Sequence, residues 1–244
     1  MKFAARSDRG LVRELNEDSY GIISGSSEIP FVFIVADGMG GHNCGEVASR
    51  MAVEYVKSTV ERCGFSLVSS EDAEEAFKEI VKGANNAVLE ASLEQPETAG
   101  MGTTLTMAAI FGKKVTVAHV GDSRLYLVRG GDMRQLTEDH SYISELVKNG
   151  TLTIEEAKIH PKKNIITRAI GTSPALDVDT LSLDYEEGDI FVLCTDGLTN
   201  MLEEHEILDV AVNNEPGDAC EKLVDFAKSR GGEDNITVIV IKCE

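Results

Sequence analysis

The sequence predicts an α+β sandwich of mainly antiparallel sheets whose outer faces are covered by helices. Many of its apolar runs have the length of a single strand, and short turns such as 112–114 and 130–132 join neighbouring runs. Helical segments with one apolar stripe each are interleaved with these strands, which is typical of this fold class. Because neither a Pro/Ser-rich linker nor a fixed-period repeat divides the chain, residues 1–244 are predicted to form one domain.

The predicted elements follow from local patterns along the chain. Strands are predicted near residues 2–8, 19–24, 31–36, 103–111, 115–121, 124–129, 133–136, 180–184, 189–195 and 235–242. Helices are predicted over residues 46–60, 71–93, 202–212 and 218–229, the second with Ser70 as its N-cap. Between strand regions, residues 139–172 carry two short helical patterns. The first closes at Asn149-Gly150, and a capping box of Thr153 and Glu156 opens the second.

Composition excludes several classes of protein. The chain has 23 basic and 42 acidic side chains and a formal charge of −19, a field that repels nucleic acid and anionic membranes. Its apolar runs are far shorter than the roughly 20 residues of a membrane span, and residues 1–6 lack a signal-peptide core. We therefore expect a soluble, cytoplasmic protein. Five scattered cysteines, an odd number, argue against a disulfide framework and against zinc.

Acidic residues stand at the ends of several predicted strands. Asp37, Asp122 and Asp196 each follow an apolar run and have glycine beside them, and Asp234 precedes the last run. If the strands next to Asp196 and Asp234 are antiparallel, these two carboxylates lie at one edge of a sheet. Such a cluster persists only if it is partly protonated or holds cations, and two cations are the simpler explanation. Oxygen ligands without histidine or cysteine favour Mg²⁺ or Mn²⁺.

Two other interpretations of the sequence compete with a metal site. Asp-Gly is also a strong hairpin-turn signal, but a helical pattern, not a second strand, follows both Asp37-Gly38 and Asp196-Gly197. Cys44 and Arg50 have the Cys-x5-Arg spacing of cysteine-dependent phosphatases. Here the intervening residues include Glu46, whose charge opposes phosphate, and they overlap a predicted helix.

Seven stretches in the same order resemble the metal-dependent serine/threonine phosphatases of the type 2C family, particularly their bacterial members. They are residues 7–18, 35–42, 102–104, 120–124, 160–171, 195–198 and 234–237. The resemblance implies a four-layer α/β/β/α sandwich of two antiparallel sheets flanked by helices. It also implies a hydrolase with two Mn²⁺ or Mg²⁺ ions, and a third in some members. Residues 139–172 resemble the flap subdomain of bacterial relatives, hereafter the flap, and we expect the flap to influence which phosphoprotein is selected.

The resemblance also implies the metal ligands. Asp37 would bridge the two ions, the Gly38 carbonyl would bind one, and Asp196 and Asp234 would bind the other. Asp122, together with Asp196, would bind the third ion.

Asp18 and Glu17 would act through metal-bound water. Arg13 would hold the phosphate, because its planar fork meets two oxygens and stays charged at any working pH. A surface ion pair between Arg13 and Glu17 is the alternative.

The expected reaction is direct hydrolysis of phosphoserine or phosphothreonine in proteins. Water shared by the two ions becomes nucleophilic and attacks phosphorus in line, without a phosphoenzyme. The sequence departs from animal relatives at Met39, where they carry a proposed general-acid histidine. His42, His160 or water on the third ion could donate the proton instead.

The expected biological setting is signalling, in which the enzyme opposes a bacterial serine/threonine kinase. Two alternatives stay open at this stage, a phosphatase of small phosphoesters and a noncatalytic module that binds cations or phosphoproteins. The second alternative would be favoured by a missing metal ligand or phosphate arginine, and the sequence lacks neither.

Overall fold

Strands and helices alternate along the chain much as the sequence patterns predict. The computed structural model describes residues 1–26, 29–40, 44–63, 73–94 and 96–244, with the backbone alone for Ile154 and Lys158. In this part of the chain the strands are β1 (Lys2–Asp8), β2 (Asp18–Ile23), β3 (Phe31–Met39), β4 (Gly102–Thr103), β5 (Leu105–Phe111), β6 (Lys114–Val120), β7 (Arg124–Arg129), β8 (Asp132–Gln135), β9 (Asp179–Asp184), β10 (Ile190–Cys194) and β11 (Ile236–Lys242). The helices are α1 (Gly45–Cys63), α2 (Ala73–Glu94), α3 (Tyr142–Lys148), α4 (Ile154–Lys158), α5 (Asp196–Thr199), α6 (Glu204–Asn213) and α7 (Pro216–Ser229), with a 3₁₀ turn at Pro96–Thr98.

The strands form two sheets. In sheet 1 the order is β1-β11-β10-β7-β8, and in sheet 2 it is β2-β3-β5-β6-β9, with β4 added beside β3. Neighbouring strands in both sheets are antiparallel. The antiparallel arrangement expected from the sequence is confirmed.

Side-chain alternation on the strands produces three apolar cores and therefore four layers. On β3, Phe33 and Val35 belong to the core between the two sheets. The intervening residue Ile34 belongs to the core beneath α1 and α2. On β11, Val238 lies beneath α6 and α7, whereas Ile239 faces sheet 2. The four-layer α/β/β/α sandwich is confirmed.

Two strands differ from the sequence prediction at the end of the sandwich where acidic residues collect. The predicted strand 31–36 continues to Met39, because β4 pairs with Gly38 and Met39. The predicted strand 103–111 is divided at Thr104 into β4 and β5. There the Asp37 N–H donates to the Thr104 hydroxyl (2.8 Å) and not to a strand carbonyl, which interrupts the ladder.

The helices that follow the two Asp-Gly pairs exclude a hairpin turn at either pair. The long helix α1 follows Gly38 after a short connection, and Asp196 begins the short helix α5, which the sequence patterns did not predict. The hairpin-turn interpretation is therefore wrong at both sites. Within the flap, α3 ends at Lys148 with Asn149 as its C-cap, and Thr153 and Glu156 form the expected capping box of α4. The predicted N-cap Ser70 lies outside the described residues.

Each helix in the described ranges is too short or too polar to cross a lipid bilayer. The five cysteines are free thiols, three of them buried and two partly buried.

Candidate metal centre

Asp18 and Asp37 face each other across two neighbouring strands. They are paired in the antiparallel register of β2 and β3. Threonines hold the Asp37 backbone in place, since its carbonyl accepts hydrogen bonds from the Thr104 N–H and the Thr103 hydroxyl, both at 2.9 Å. Its N–H donates to the Thr104 hydroxyl. Asp37 therefore sits on a backbone fixed by three hydrogen bonds, as the ligand role expected from the sequence would require.

Sheet 1 contributes Asp196 and Asp234. Strands β10 and β11 are antiparallel with Cys194 opposite Val238, and the Thr195 N–H donates to the Thr237 carbonyl (3.0 Å). Asp196 directly follows this pair on one strand, and Asp234 precedes β11 on the other. The expectation that both carboxylates occupy the same edge is confirmed.

Asp18 joins the two sheets at this edge. Its Oδ2 atom accepts hydrogen bonds from the hydroxyls of Thr195 (2.8 Å) and Thr237 (2.7 Å). Thr237 lies on β11 of sheet 1, and Thr195 directly follows β10 of the same sheet. Ser7 extends the network through a hydrogen bond with Thr237. The acidic ends of the two sheets are thereby held together.

The electrostatics show that the carboxylates share one region. Burial, followed by the charges of Asp18, Asp196, Asp122 and Asp234, raises the pKa of Asp37 well above its ordinary value. Burial also raises the pKa of Asp18 to about 7 and that of Asp122 to about 8, and the charge of Asp196 adds to both shifts. These groups destabilise one another when ionised, which is the condition that bound cations relieve.

Several carboxylate oxygens at this edge are buried without a hydrogen-bond donor. In the described part of the chain they include Oδ1 of Asp18, Asp122 and Asp196 and Oε2 of Glu46. Hard divalent cations prefer such oxygens, so these residues fit Mg²⁺ or Mn²⁺. Among the described residues, however, no three His, Cys, Asp or Glu side chains stand close enough together to hold one ion. The Asp234 carboxylate is bonded to Arg13.

Asp122 is anchored to the base of the flap. The preceding residue, Gly121, donates its N–H to Nδ1 of His140 (3.1 Å) and accepts the His140 backbone N–H (2.7 Å). Since Nδ1 is an acceptor, Nε2 of His140 carries the hydrogen and donates to Asp179 (3.1 Å). Gly121 has φ of 112°, and a Cβ there would lie 2.5 Å from the Thr104 side chain. The Asp122 loop therefore depends on glycine and on His140.

Gly38 lies where backbone segments meet closely. A Cβ on Gly38 would stand 2.1 Å from the Gly45 carbonyl oxygen and 2.5 Å from that of Glu17. The Glu17 carboxylate accepts a hydrogen bond from the Gly45 N–H, and its pKa is raised by burial and by Glu46, against the opposing charge of Arg13. Glu17 therefore lies near Gly38 and Asp37, at the beginning of α1.

Arg13 pairs with a different acid from the one its sequence neighbourhood suggested. Its Nη2 donates to Oδ2 of Asp234 at 2.8 Å, and its side chain is 47% exposed. The alternative of a surface ion pair with Glu17 is therefore wrong. Arg13 stands beside a predicted metal ligand with its guanidinium partly open to solvent, a position that suits an incoming phosphate.

Asn235 holds the loop that carries Arg13, a role that sequence reasoning missed. Its Nδ2 donates to the carbonyls of Arg9 (2.9 Å) and Leu15 (2.8 Å), and its Oδ1 accepts the Glu17 N–H (2.8 Å). The side chain is 3% exposed. The sequence contained a signal for this residue, because it lies in the stretch 234–237 that resembles the family, but its partners lie more than 200 positions away.

The structure was also compared with the two candidate donor histidines and with the cysteine-phosphatase spacing at Cys44. His42 lies outside the described residues. His160 accepts the Lys162 N–H (3.1 Å) within the flap, a local structural contact. At the Cys44 site, α1 begins at Gly45 and includes Arg50, so a phosphate-binding loop is replaced by helix. The interpretation as a cysteine-dependent phosphatase is wrong.

Comparison with known proteins agrees with this geometry. Residues 11–226 match the family model described as Protein phosphatase 2C. The serine/threonine phosphatase Stp of Listeria welshimeri is 39% identical over 238 residues, which cover 97% of this chain and 94% of that protein. The crystal structure of the Mycobacterium tuberculosis serine/threonine phosphatase PstP/Ppp superposes with a TM-score of 0.88 at 35% identity, covering 100% of this chain and 98% of the other. The catalytic domain of PstP in complex with two manganese ions gives 0.85 at 34% identity, covering 98% and 96%. By motifs, fold and overall similarity, the chain belongs to the protein phosphatase 2C family.

Proposed function

We propose that this protein is a Mn²⁺- or Mg²⁺-dependent phosphatase of phosphoserine and phosphothreonine in proteins. The observation that carries the proposal is the cluster of buried carboxylates joining the two sheets, with unpartnered oxygens and raised pKa values. Two further findings support the proposal: the chain belongs to the family, and it is similar to a phosphatase solved in complex with two manganese ions.

In this proposal Asp37 and the Gly38 carbonyl would hold one ion, and Asp37, Asp196 and Asp234 would hold the other. Asp122 and Asp196 would take a third. When bound, the ions supply Lewis acidity that makes water nucleophilic and neutralises phosphoryl oxygens. Asp18, oriented by its two threonine hydrogen bonds, would accept a hydrogen bond from metal-bound water.

Glu17 would act in the same way near Gly38. Arg13 would bind the phosphate and hold it for in-line attack by water, so that no phosphoenzyme forms. For both roles the guanidinium would release Asp234, which it contacts at 2.8 Å, so that Arg13 would bind phosphate oxygens and Asp234 would serve as a metal ligand. His42 remains our proposed proton donor to the leaving alkoxide. The substrate class requires a kinase that forms phosphoserine or phosphothreonine, and we propose that a cognate serine/threonine kinase supplies it in a cytoplasmic signalling pathway.

The proposal is tested by Mn²⁺-dependent release of phosphate from a phosphothreonine peptide. We expect Asp37→Asn and Asp234→Asn to lower kcat by at least about 100-fold while the protein stays folded. Asp225→Asn, which changes an exposed carboxylate on α7, is the matched control and should retain full activity. A chelator should abolish turnover, and excess Mn²⁺ should restore it. Turnover that survives chelation, or that survives in both site variants, would overturn the proposal.

A further inference from the structure

A cleft of about 850 Å³ opens beside Asp122 and Asp196. Flap residues between 141 and 164 form one wall, and residues 196–205 of α5 and α6 form the other. Residues of β7 and β8 form its floor. We call this space the flap cleft. It adjoins the proposed metal centre, so a polypeptide whose phosphate lies at that centre would have its next residues within reach at about 3.3–3.6 Å per residue.

Acidic side chains dominate the lining of the flap cleft. They are Asp122, Glu138, Asp139, Asp196, Glu203 and Glu204, against the basic residues Arg124 and Lys163. Two of these acids are paired with basic residues, since Arg124 binds both carboxylate oxygens of Asp139 and also donates to the Tyr126 hydroxyl, and Lys148 donates to Glu138 at 2.7 Å. The cleft therefore presents a negative field to anything that enters it, and Lys163 on the flap opposes that field.

A buried carboxylate marks the place where the flap cleft meets the proposed metal centre. Asp122 is 8% exposed, and its Oδ1 has no hydrogen-bond partner among the described residues. Apolar side chains of Ile143 on the flap and Leu202 on the opposite wall line the space between the acids. Lysine and arginine combine an aliphatic stem with a cationic head, so their side chains match such a lining.

We propose that the flap cleft binds the segment of the phosphoprotein adjoining the phosphorylated residue and selects segments that carry lysine or arginine. This inference rests on the proposed phosphatase function and specifies its substrate class. Because Lys148 already pairs with Glu138, the acids that keep the cleft negative when cations occupy Asp122 and Asp196 are Glu203 and Glu204. Selection would come from this local field, to which Glu204 contributes directly and distant acids do not.

The test compares three phosphothreonine peptides that differ only in their flanks. One carries two lysines before the phosphothreonine, one carries two lysines after it, and one carries alanines. For each protein, kcat/KM is divided by that for a small aryl phosphate measured on the same preparation. We expect the parent to prefer at least one lysine peptide by about 3- to 10-fold at low salt, and the preference to shrink at about 0.5 M salt.

Variants separate the cleft from the overall charge of the protein. Glu204→Lys should lower the preference at least about threefold, and Lys163→Gln should raise it. Glu90→Lys on α2, which covers the other sheet, makes the same charge change as Glu204→Lys at an exposed residue and should leave the preference unchanged. Because the two cleft variants act in opposite directions, loss of folding in one leaves the other as the test.

Each outcome has a defined meaning. Equal hydrolysis of all three peptides by the parent would overturn the cleft proposal while leaving the phosphatase function intact. Equal effects of Glu204→Lys and Glu90→Lys would also overturn it, since the preference would then come from net charge. Failure of the Mn²⁺-loaded parent to hydrolyse any peptide would instead refute the proposed function.

Discussion

Replacing Asn235 with alanine should destabilise the protein and disable Arg13 together. The side chain is buried and makes three hydrogen bonds to the backbone of the Arg13 loop, at 2.8–2.9 Å. Truncation leaves two carbonyls and one N–H without this partner, at roughly 1–3 kcal/mol for each group that water cannot reach. Allowing for partial hydration, we expect a loss of about 3–5 kcal/mol in the free energy of unfolding, measured by urea denaturation. Asn213→Ala, at an exposed asparagine bonded within α6, should cost less than about 1 kcal/mol.

The effect on activity is read from a double-mutant cycle with Arg13→Ala. If Asn235 acts by placing Arg13, Asn235→Ala should lower kcat/KM for a phosphothreonine peptide at least about 10-fold. The double variant should then be no worse than Arg13→Ala by more than about twofold. Fully additive losses, or a stability change below about 1 kcal/mol, would refute this account of the loop.

Three further perturbations test the site and the buried network behind it. Gly38→Ala should cost about 3 kcal/mol, because its Cβ would stand 2.1 Å from the Gly45 carbonyl oxygen, whereas Gly217→Ala meets open space and should change stability by less than about 1 kcal/mol in urea unfolding. Burial and His140 lower the pKa of His119 to about 4, so its contribution to stability is complete above its unfolded pKa of about 6.5 and is lost as pH falls toward 4. Across this pH window the free energy of unfolding of the parent should fall by about 3 kcal/mol relative to that of His119→Gln. A stability difference between the two proteins that does not change with pH would contradict the lowered pKa of His119. Mn²⁺ at about 100 times its Kd should stabilise the parent by about 2.7 kcal/mol and Asp37→Asn by much less, and equal shifts in Tm would argue against binding at Asp37.

Much of the fold was readable because it depends on local periodicity. Continuous apolar runs of strand length predict β3, β10 and β11, and the stripes on α1 and α2 predict the helices that cover sheet 2. Acids beside glycine at strand ends also indicated where the site would form. The short helix α5 was missed because four residues contain too little periodicity to distinguish them from a turn.

The sequence by itself determined which residue types stand at the strand ends, and so the chemistry that the site can perform. Tertiary structure alone decided how those residues are partnered. Spacing along the chain suggested Glu17 for Arg13, but packing of the two sheets brings Asp234 to it. The same packing brings Thr195 and Thr237 to Asp18. The physical reason is that a hydrogen bond or ion pair forms with whichever group lies within about 3 Å, and for groups on different sheets that distance is determined by how the layers pack.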